Sequence, residues 1–356
     1  MKKMALILQG GGALGAFEYG VVTRLAELGW QATAVTGVSI GAINAAAIAG
    51  APDGDVAASL QRLWQAITLP EVPWLPAAQQ GAMSLLGNPN FYHLRADYFN
   101  LPHWTSLCDT SPMLATLARL CDFRQINRPE HMRVAVTATD LQSGALATFS
   151  NHLAHGSKIV GDNHIATHAH LTPEHIMASG SLPPGFAATA IDGRQYWDGG
   201  LFSNTPIDAL LNMLSDEEVG SLPIFVVDLF PSTGLEAPRN LLEVQTRALA
   251  LQYQNRFWAQ YGGAGHLSGF LEMLDDMERD LPAASALRHR PAYAWLMRLR
   301  ALKTIRVIQA AAPTLTGGSD FSPYGVQQAR EAGRLAVDQH FANAPQVPAG
   351  KLLAAA

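Results

Sequence analysis

The sequence predicts a three-layer α/β/α fold with a mainly parallel central sheet. Two observations carry this. Residues 4–8, Met-Ala-Leu-Ile-Leu, form a short apolar run that meets Gln9-Gly10-Gly11-Gly12, and a stretch with helical periodicity follows. The same order of apolar run, glycine-containing turn and helical stretch repeats from Ala32. Strand, turn and helix twice in succession call for parallel pairing with right-handed crossovers, which puts helices on the faces of the sheet.

Taken in order, residues 4–8 read as a buried strand. Leu14, Phe17, Val21, Leu25 and Leu28 recur at three- and four-residue steps on one helical face, and Gly29 is the stop. Ala32 to Val38 is a second strand, and Ala42 to Ala49 a small-residue helix. Pro70 to Pro102 has weak periodicity and reads as a long excursion from the sheet. Its Trp74, Leu75, Met83, Leu85, Leu86, Phe91 and Tyr92 must cover something apolar, either the protein's own core or a boundary between lipid and water. Regular structure resumes near Met113. Arg133 to Thr139, Leu146 to Ser150 and Ile224 to Leu229 read as strands, and Pro173 to Met177 as a helix start. Helices are expected over Leu241 to Phe257, Leu267 to Glu278 and Pro291 to Leu302, then a strand over Thr304 to Gln309 and a helix near Gly325 to Phe341.

A chain of 356 residues, 48% hydrophobic and 15% charged, has enough apolar surface for a buried core, which excludes disorder for most of it. The 24 Lys and Arg against 29 Asp and Glu give a net charge of −5 with no basic run, so a nucleic-acid partner is not expected. Cys108 and Cys121 are too few for a disulfide framework or a zinc site and read as core thiols. The apolar run after Lys3 is too short for a signal peptide, and no stretch approaches a membrane span. A cytoplasmic protein touching a membrane only peripherally is the expectation.

Gly10-Gly11-Gly12-Ala13-Leu14-Gly15 satisfies G-x-G-x-x-G between a strand and a helix. A dinucleotide site would also need an acidic residue at the end of the second strand, where Gly37-Val38-Ser39 stands instead. The loop therefore has three readings: consecutive backbone N–H groups forming an oxyanion hole, a nucleotide phosphate loop, or a structural turn. Gly37-Val38-Ser39-Ile40-Gly41 is a G-x-S-x-G pentapeptide on a strand-to-helix turn, which projects Ser39 above the sheet. Six of the 12 histidines, His152, His155, His164, His168, His170 and His175, crowd residues 152–175. Their spacing fits neither a metal-ligand pattern nor a catalytic frame, and a long polar loop is the simpler reading. Downstream, Met177 to Phe186 is rich in Ser, Pro and Gly, and Asp198-Gly199-Gly200 closes an aromatic strand; taken alone, that tripeptide is a hairpin turn.

The glycine loop, the G-x-S-x-G turn and the distant Asp-Gly-Gly, in this order over residues 4–210, resemble the patatin-like phospholipases, serine hydrolases with a Ser–Asp dyad and no catalytic histidine. The resemblance implies the patatin-like hydrolase fold, with Ser39 as nucleophile, Asp198 as general base and the N–H groups of Gly10 to Ala13 as oxyanion donors. Gly15, Gly37, Gly41, Gly199 and Gly200 would shape the three turns. The chain departs from the pattern at Leu14, where many members carry Arg or Lys. Implied are a lipid or other acyl-ester substrate and no metal or organic cofactor. A thioesterase or a polyester depolymerase with the same dyad is the alternative, and a nucleotide-binding oxidoreductase a more distant one. Residues 1–210 are expected to form the catalytic domain, and residues 211–356 a mostly helical C-terminal extension packed on it, similar to that of a bacterial subgroup.

Overall fold

The computed structural model describes residues 1–153, 160–161, 164–230, 237–254, 266–310 and 317–343. Ten strands form one sheet: β1 Lys2–Leu8, β2 Trp30–Gly37, β3 Arg133–Asp140, β4 Leu146–Ser150, β5 Val160–Gly161, β6 His164–His168, β7 Thr189–Ile191, β8 Arg194–Asp198, β9 Ile224–Asp228 and β10 Ile305–Gln309. The principal helices are α1 Gly15–Glu27, α2 Ile40–Ala49, α3 Val56–Ile67, α4 Ser111–Leu120, α5 Pro173–Gly180, α6 Ile207–Leu211, α7 Leu241–Tyr253, α8 His266–Asp280, α9 Pro291–Arg298 and α10 Pro323–Asn343. The strand order is β10-β9-β1-β2-β3-β4-β6-β5, with β8 and β7 branching from β3. From β10 to β3 every pairing is parallel, and β3–β4, β3–β8, β7–β8 and β5–β6 are antiparallel.

The layers follow from the alternation of β1, because successive side chains of a strand point to opposite faces. Met4, Leu6 and Leu8 enter the larger core with Phe17, Val21 and Leu25 of α1 and Ile43 of α2. Ala5 and Ile7 enter a second core with Ala209, Leu210 and Leu211 of α6 and Leu214. Covered on both faces, β1 has no polar position after Lys3, which made it legible as a continuous apolar run. α1 ends at Glu27, and Gly29, with φ 82°, turns the chain into β2.

Two elements depart from the sequence expectation. The polar region 152–175 is not wholly a loop, since His164–His168 pairs in parallel with Leu146–Ser150. Only Ala166 of this strand is buried, so it carries no apolar signal of its own. Pro70–Pro102 splits instead of choosing between core and surface. Phe91 is buried and its ring lies 5.4–5.8 Å from those of Tyr92, Phe186 and Phe321, whereas Trp74, Leu85 and Leu86 are 81%, 73% and 69% exposed. The helix expected over 241–257 runs to Tyr253; residues 255–257 lie outside the described residues, as does His155. The sheet does not stop at residue 210: β9 and β10 extend it on the far side of β1. Among the described residues no helix is long and apolar enough to cross a membrane.

Candidate active site

Strand register brings Ser39 and Asp198 together. β2 runs beside β3 up to the pair Gly37–Val136, and there it ends. On that same side of β3, vacated by β2, β8 enters antiparallel with Asp198 opposite Ala138, two residues farther along. Two residues of strand are about 7 Å, so the turn that follows β2 faces the end of β8. β7 and β8 are joined by Asp192-Gly193, both at positive φ, the pair that closes a tight hairpin.

Ser39 stands between β2 and α2 with φ 54° and ψ −123°, a left-handed conformation that a serine holds only where its surroundings impose it. Its N–H donates to the carbonyl and the hydroxyl of Ser179, both at 3.0 Å. The flanking glycines sit at close backbone approaches: a Cβ at Gly37 would lie 2.3 Å from the Gly41 carbonyl, and one at Gly41 2.5 Å from that of Leu8. At the end of β8 the Asp198 N–H donates to Ser181 O at 3.0 Å, so one short segment, Ser179 to Ser181, holds both residues by their backbones. Gly199 packs against Thr137, and the Gly200 N–H donates to Asp198 Oδ1 at 2.7 Å.

Asp198 is buried, and the Ser39 side chain is among the groups that act on its carboxyl. Burial pushes its pKa up from 3.8 to about 6, against the opposing pull of the Ser39 side chain and the Gly200 N–H. A carboxylate poised there can take the proton of a hydroxyl that approaches it at neutral pH. None of the hydrogen bonds found for Ser39 and Asp198 among the described residues involves a histidine. His164 bonds Thr148 and His175 bonds Thr172, and burial lowers the pKa of both. Among the described residues no cluster of three or more His, Cys, Asp or Glu could hold a metal ion.

The glycine loop lies along this pair. A Cβ at Gly10 would be 2.9 Å from that of Ser39, and one at Gly15 2.5 Å from Ile40. Gly12 has φ 58° and a side chain there would meet Gly318 O at 2.2 Å, so only glycine fits. The Gly10 N–H is taken by Asn204 Oδ1 at 2.9 Å, whereas among the described residues those of Gly11, Gly12 and Ala13 donate to no protein acceptor. Glu18, fully buried, accepts from Asn44 Nδ2 at 2.8 Å, and burial holds its pKa well above the ordinary range.

Three neighbours of the site carry no local motif. Asn204 reaches Gly10 across 194 residues, and Tyr253 of α7 stands against Gly200, 3.4 Å from where its Cβ would be. The surface arm of residues 70–110 adjoins the site at both ends. Gly81 packs on Asp320, next to the Gly317–Ser319 turn that touches Gly12, and the N–H groups of Leu107 and Cys108 donate to Pro184 O and Gly185 O.

A comparison with solved structures finds VipD from Legionella pneumophila, 14% identical, with a TM-score of 0.41 over 96% of this chain and 67% of that one. No curated protein matches in sequence. The family model for Patatin-like phospholipase matches residues 6–211, more than half of the chain and all three turns described above. The chain therefore belongs to the patatin-like phospholipases, hydrolases of lipid ester bonds.

Proposed function

We propose that the protein hydrolyses lipid acyl esters with a Ser39–Asp198 dyad and an oxyanion hole formed by the glycine loop. The observation that carries this reading is that one segment, Ser179 to Ser181, holds by their backbones both Ser39, at its positive-φ turn, and the buried Asp198. As Ser39 Oγ attacks the acyl carbonyl, its proton passes to Asp198, and the carbonyl oxygen becomes an oxyanion. We assign as its donors the N–H groups of Gly11, Gly12 and Ala13, which meet no protein acceptor among the described residues; this narrows the expected set by Gly10, whose N–H is engaged by Asn204. The alkoxide leaves with the proton from Asp198. Water then attacks the acyl-enzyme, gives its proton to Asp198, and the fatty acid departs as Ser39 recovers its hydrogen. No step calls on a cofactor. A thioester or a polyester would be cleaved by the same steps, so a panel of phospholipids, acyl-CoAs and short esters separates these substrates.

The arm of residues 70–110 is the proposed contact with the lipid surface. Trp74, Leu85 and Leu86 expose apolar area beside the segments that flank the site, where a lipid must leave its bilayer to reach Ser39.

Replacing Ser39 by Ala tests the assignment. Hydrolysis of p-nitrophenyl butyrate should fall by about 10⁴-fold or more, and labelling by a fluorophosphonate should vanish, with the circular dichroism unchanged. A labelled, active Ser39→Ala enzyme would refute the dyad.

A further inference from the structure

Asn204 is buried six residues beyond Asp198, and every polar atom of its amide is engaged. Oδ1 accepts the Gly10 N–H at 2.9 Å, and Nδ2 donates to Gly10 O at 3.1 Å and to Tyr253 O at 3.1 Å. One acceptor meets one donor and two N–H bonds meet two carbonyls, which leaves a single workable orientation for the amide. The neighbouring pair repeats the link. Gln9 Nε2 donates to Thr205 Oγ1 at 2.7 Å, and Gln9 Oε1 accepts from the Leu229 N–H at 2.8 Å. Gln9-Gly10 and Asn204-Thr205 are thus laced together by side chains where no strand joins them. The lacing sits at the root of the glycine loop, beside both reacting residues: Asn204 Oδ1 is 2.8 Å and Ser39 Cβ 2.9 Å from where a Gly10 Cβ would be, and Asn204 Oδ1 is 3.3 Å from that of Gly200.

We infer that Asn204 is a positioning residue for the reaction: by holding both polar groups of the Gly10 backbone, next to Ser39, and tying them to the end of α7, it fixes the glycine loop in the conformation in which the Gly11, Gly12 and Ala13 amides meet no acceptor among the described residues. The inference rests on the proposed role of those amides. Glycine gives the loop its access to an oxyanion, but it also gives the loop the widest choice of backbone conformations. Donors stabilise a transition state only when they are held in place before the charge appears. Asn204 supplies that restraint from outside the loop. Its third bond gives the region beyond residue 210 a part in the site, since the carbonyl it engages belongs to Tyr253.

The test compares wild type, Ser39→Ala, Asn204→Ala and Asn204→Asp with p-nitrophenyl butyrate, and measures inhibition by 1,1,1-trifluorooctan-2-one, whose adduct with a serine carries the oxyanion. Asn204→Ala should lower kcat by roughly 10- to 100-fold, below or near the loss of one oxyanion donor, with KM changed by less than about threefold. Inhibition by the ketone should weaken by the same factor as kcat/KM. Asn204→Asp keeps the size but turns an oxygen toward the carbonyls of Gly10 and Tyr253, so it should show the same loss. Its added carboxylate near Asp198 should also move the acid limb of the pH profile to higher pH, because like charges raise a carboxyl pKa. A folded Asn204→Ala enzyme with wild-type kcat, or a loss confined to KM, overturns the inference. So does failure of both Asn204 variants to fold, which would assign the side chain to the fold alone. Activity surviving in Ser39→Ala would instead overturn the dyad, whatever the Asn204 variants do.

Discussion

Asp198 has a folded-state pKa of about 6, above the 3.8 of an ordinary aspartate, so the folded protein holds this proton more tightly than the unfolded chain does. Its contribution to stability is therefore most favourable below about pH 4, where both states are protonated, and is lost as the pH rises through 6. A gap of about two pH units corresponds to roughly 3 kcal/mol of destabilisation by pH 8. The same charge is what a general base needs. Replacing Asp198 by Asn should abolish hydrolysis, because an amide cannot take the serine proton, yet its carbonyl oxygen can still accept from the Gly200 N–H. The variant should melt higher than wild type at pH 8 and at nearly the same temperature at pH 4. In the wild type, activity should fall as the pH drops through about 6. A difference in melting temperature that does not change with pH, or an active Asn variant, would contradict this account.

The elements that carry the site were legible to the extent that each announces itself locally. Ser39 lies in a turn whose glycines are needed within five residues, and Asp198 is followed at once by two glycines that pack on β3 and bond its carboxyl. The strands β1 and β9 carry unbroken apolar runs, Met4 to Leu8 and Ile224 to Val227, and could be read directly. Asn204 could not, since its partners Gly10 and Tyr253 stand 194 and 49 residues away and nothing in its neighbourhood requires an amide. The excursion from Pro70 to Pro102 was ambiguous for another reason: aromatic and aliphatic residues look alike in sequence whether they face inward or outward. Phe91, buried, and Trp74, exposed, make the distinction testable. Phe91→Ala should cost about 3–5 kcal/mol in stability. Trp74→Ala and the double change Leu85→Ser/Leu86→Ser should shift stability by about 0.5 kcal/mol or less per residue and leave turnover of a short soluble ester near normal. On phosphatidylcholine vesicles the same variants should lose most of their activity. If they instead melt early and lose activity on both substrates alike, the arm serves the core and not a lipid surface.

At the scale of the molecule, the region beyond residue 210 is joined to the rest by more than surface packing. It supplies β9 and β10 to the central sheet, Tyr253 to the clamp on Asn204, and Gly318 to the face of Gly12. α10 lies against α1 so closely that a Cβ at Gly20 would be 1.9 Å from Arg330 O and one at Gly333 2.1 Å from Phe17 O. Beyond that seam, Phe341 of α10 stacks on Trp30 of β2 at 6.1 Å and lies 6.2 Å from Phe225 of β9. Domains that fold separately meet through boundaries that few contacts cross, whereas here hydrogen-bonded strands, a helix seam and the site itself straddle the division. We therefore expect residues 1–210 and 211–356 to unfold together. Calorimetry should give one transition with calorimetric and van't Hoff enthalpies in agreement, and a fragment ending at residue 210, its β1 edge stripped of β9 and its α1 stripped of α10, should be unfolded or aggregated. Two resolved transitions, or a 1–210 fragment that folds and hydrolyses p-nitrophenyl butyrate, would show that the catalytic unit stands alone and that the C-terminal region is an appendage.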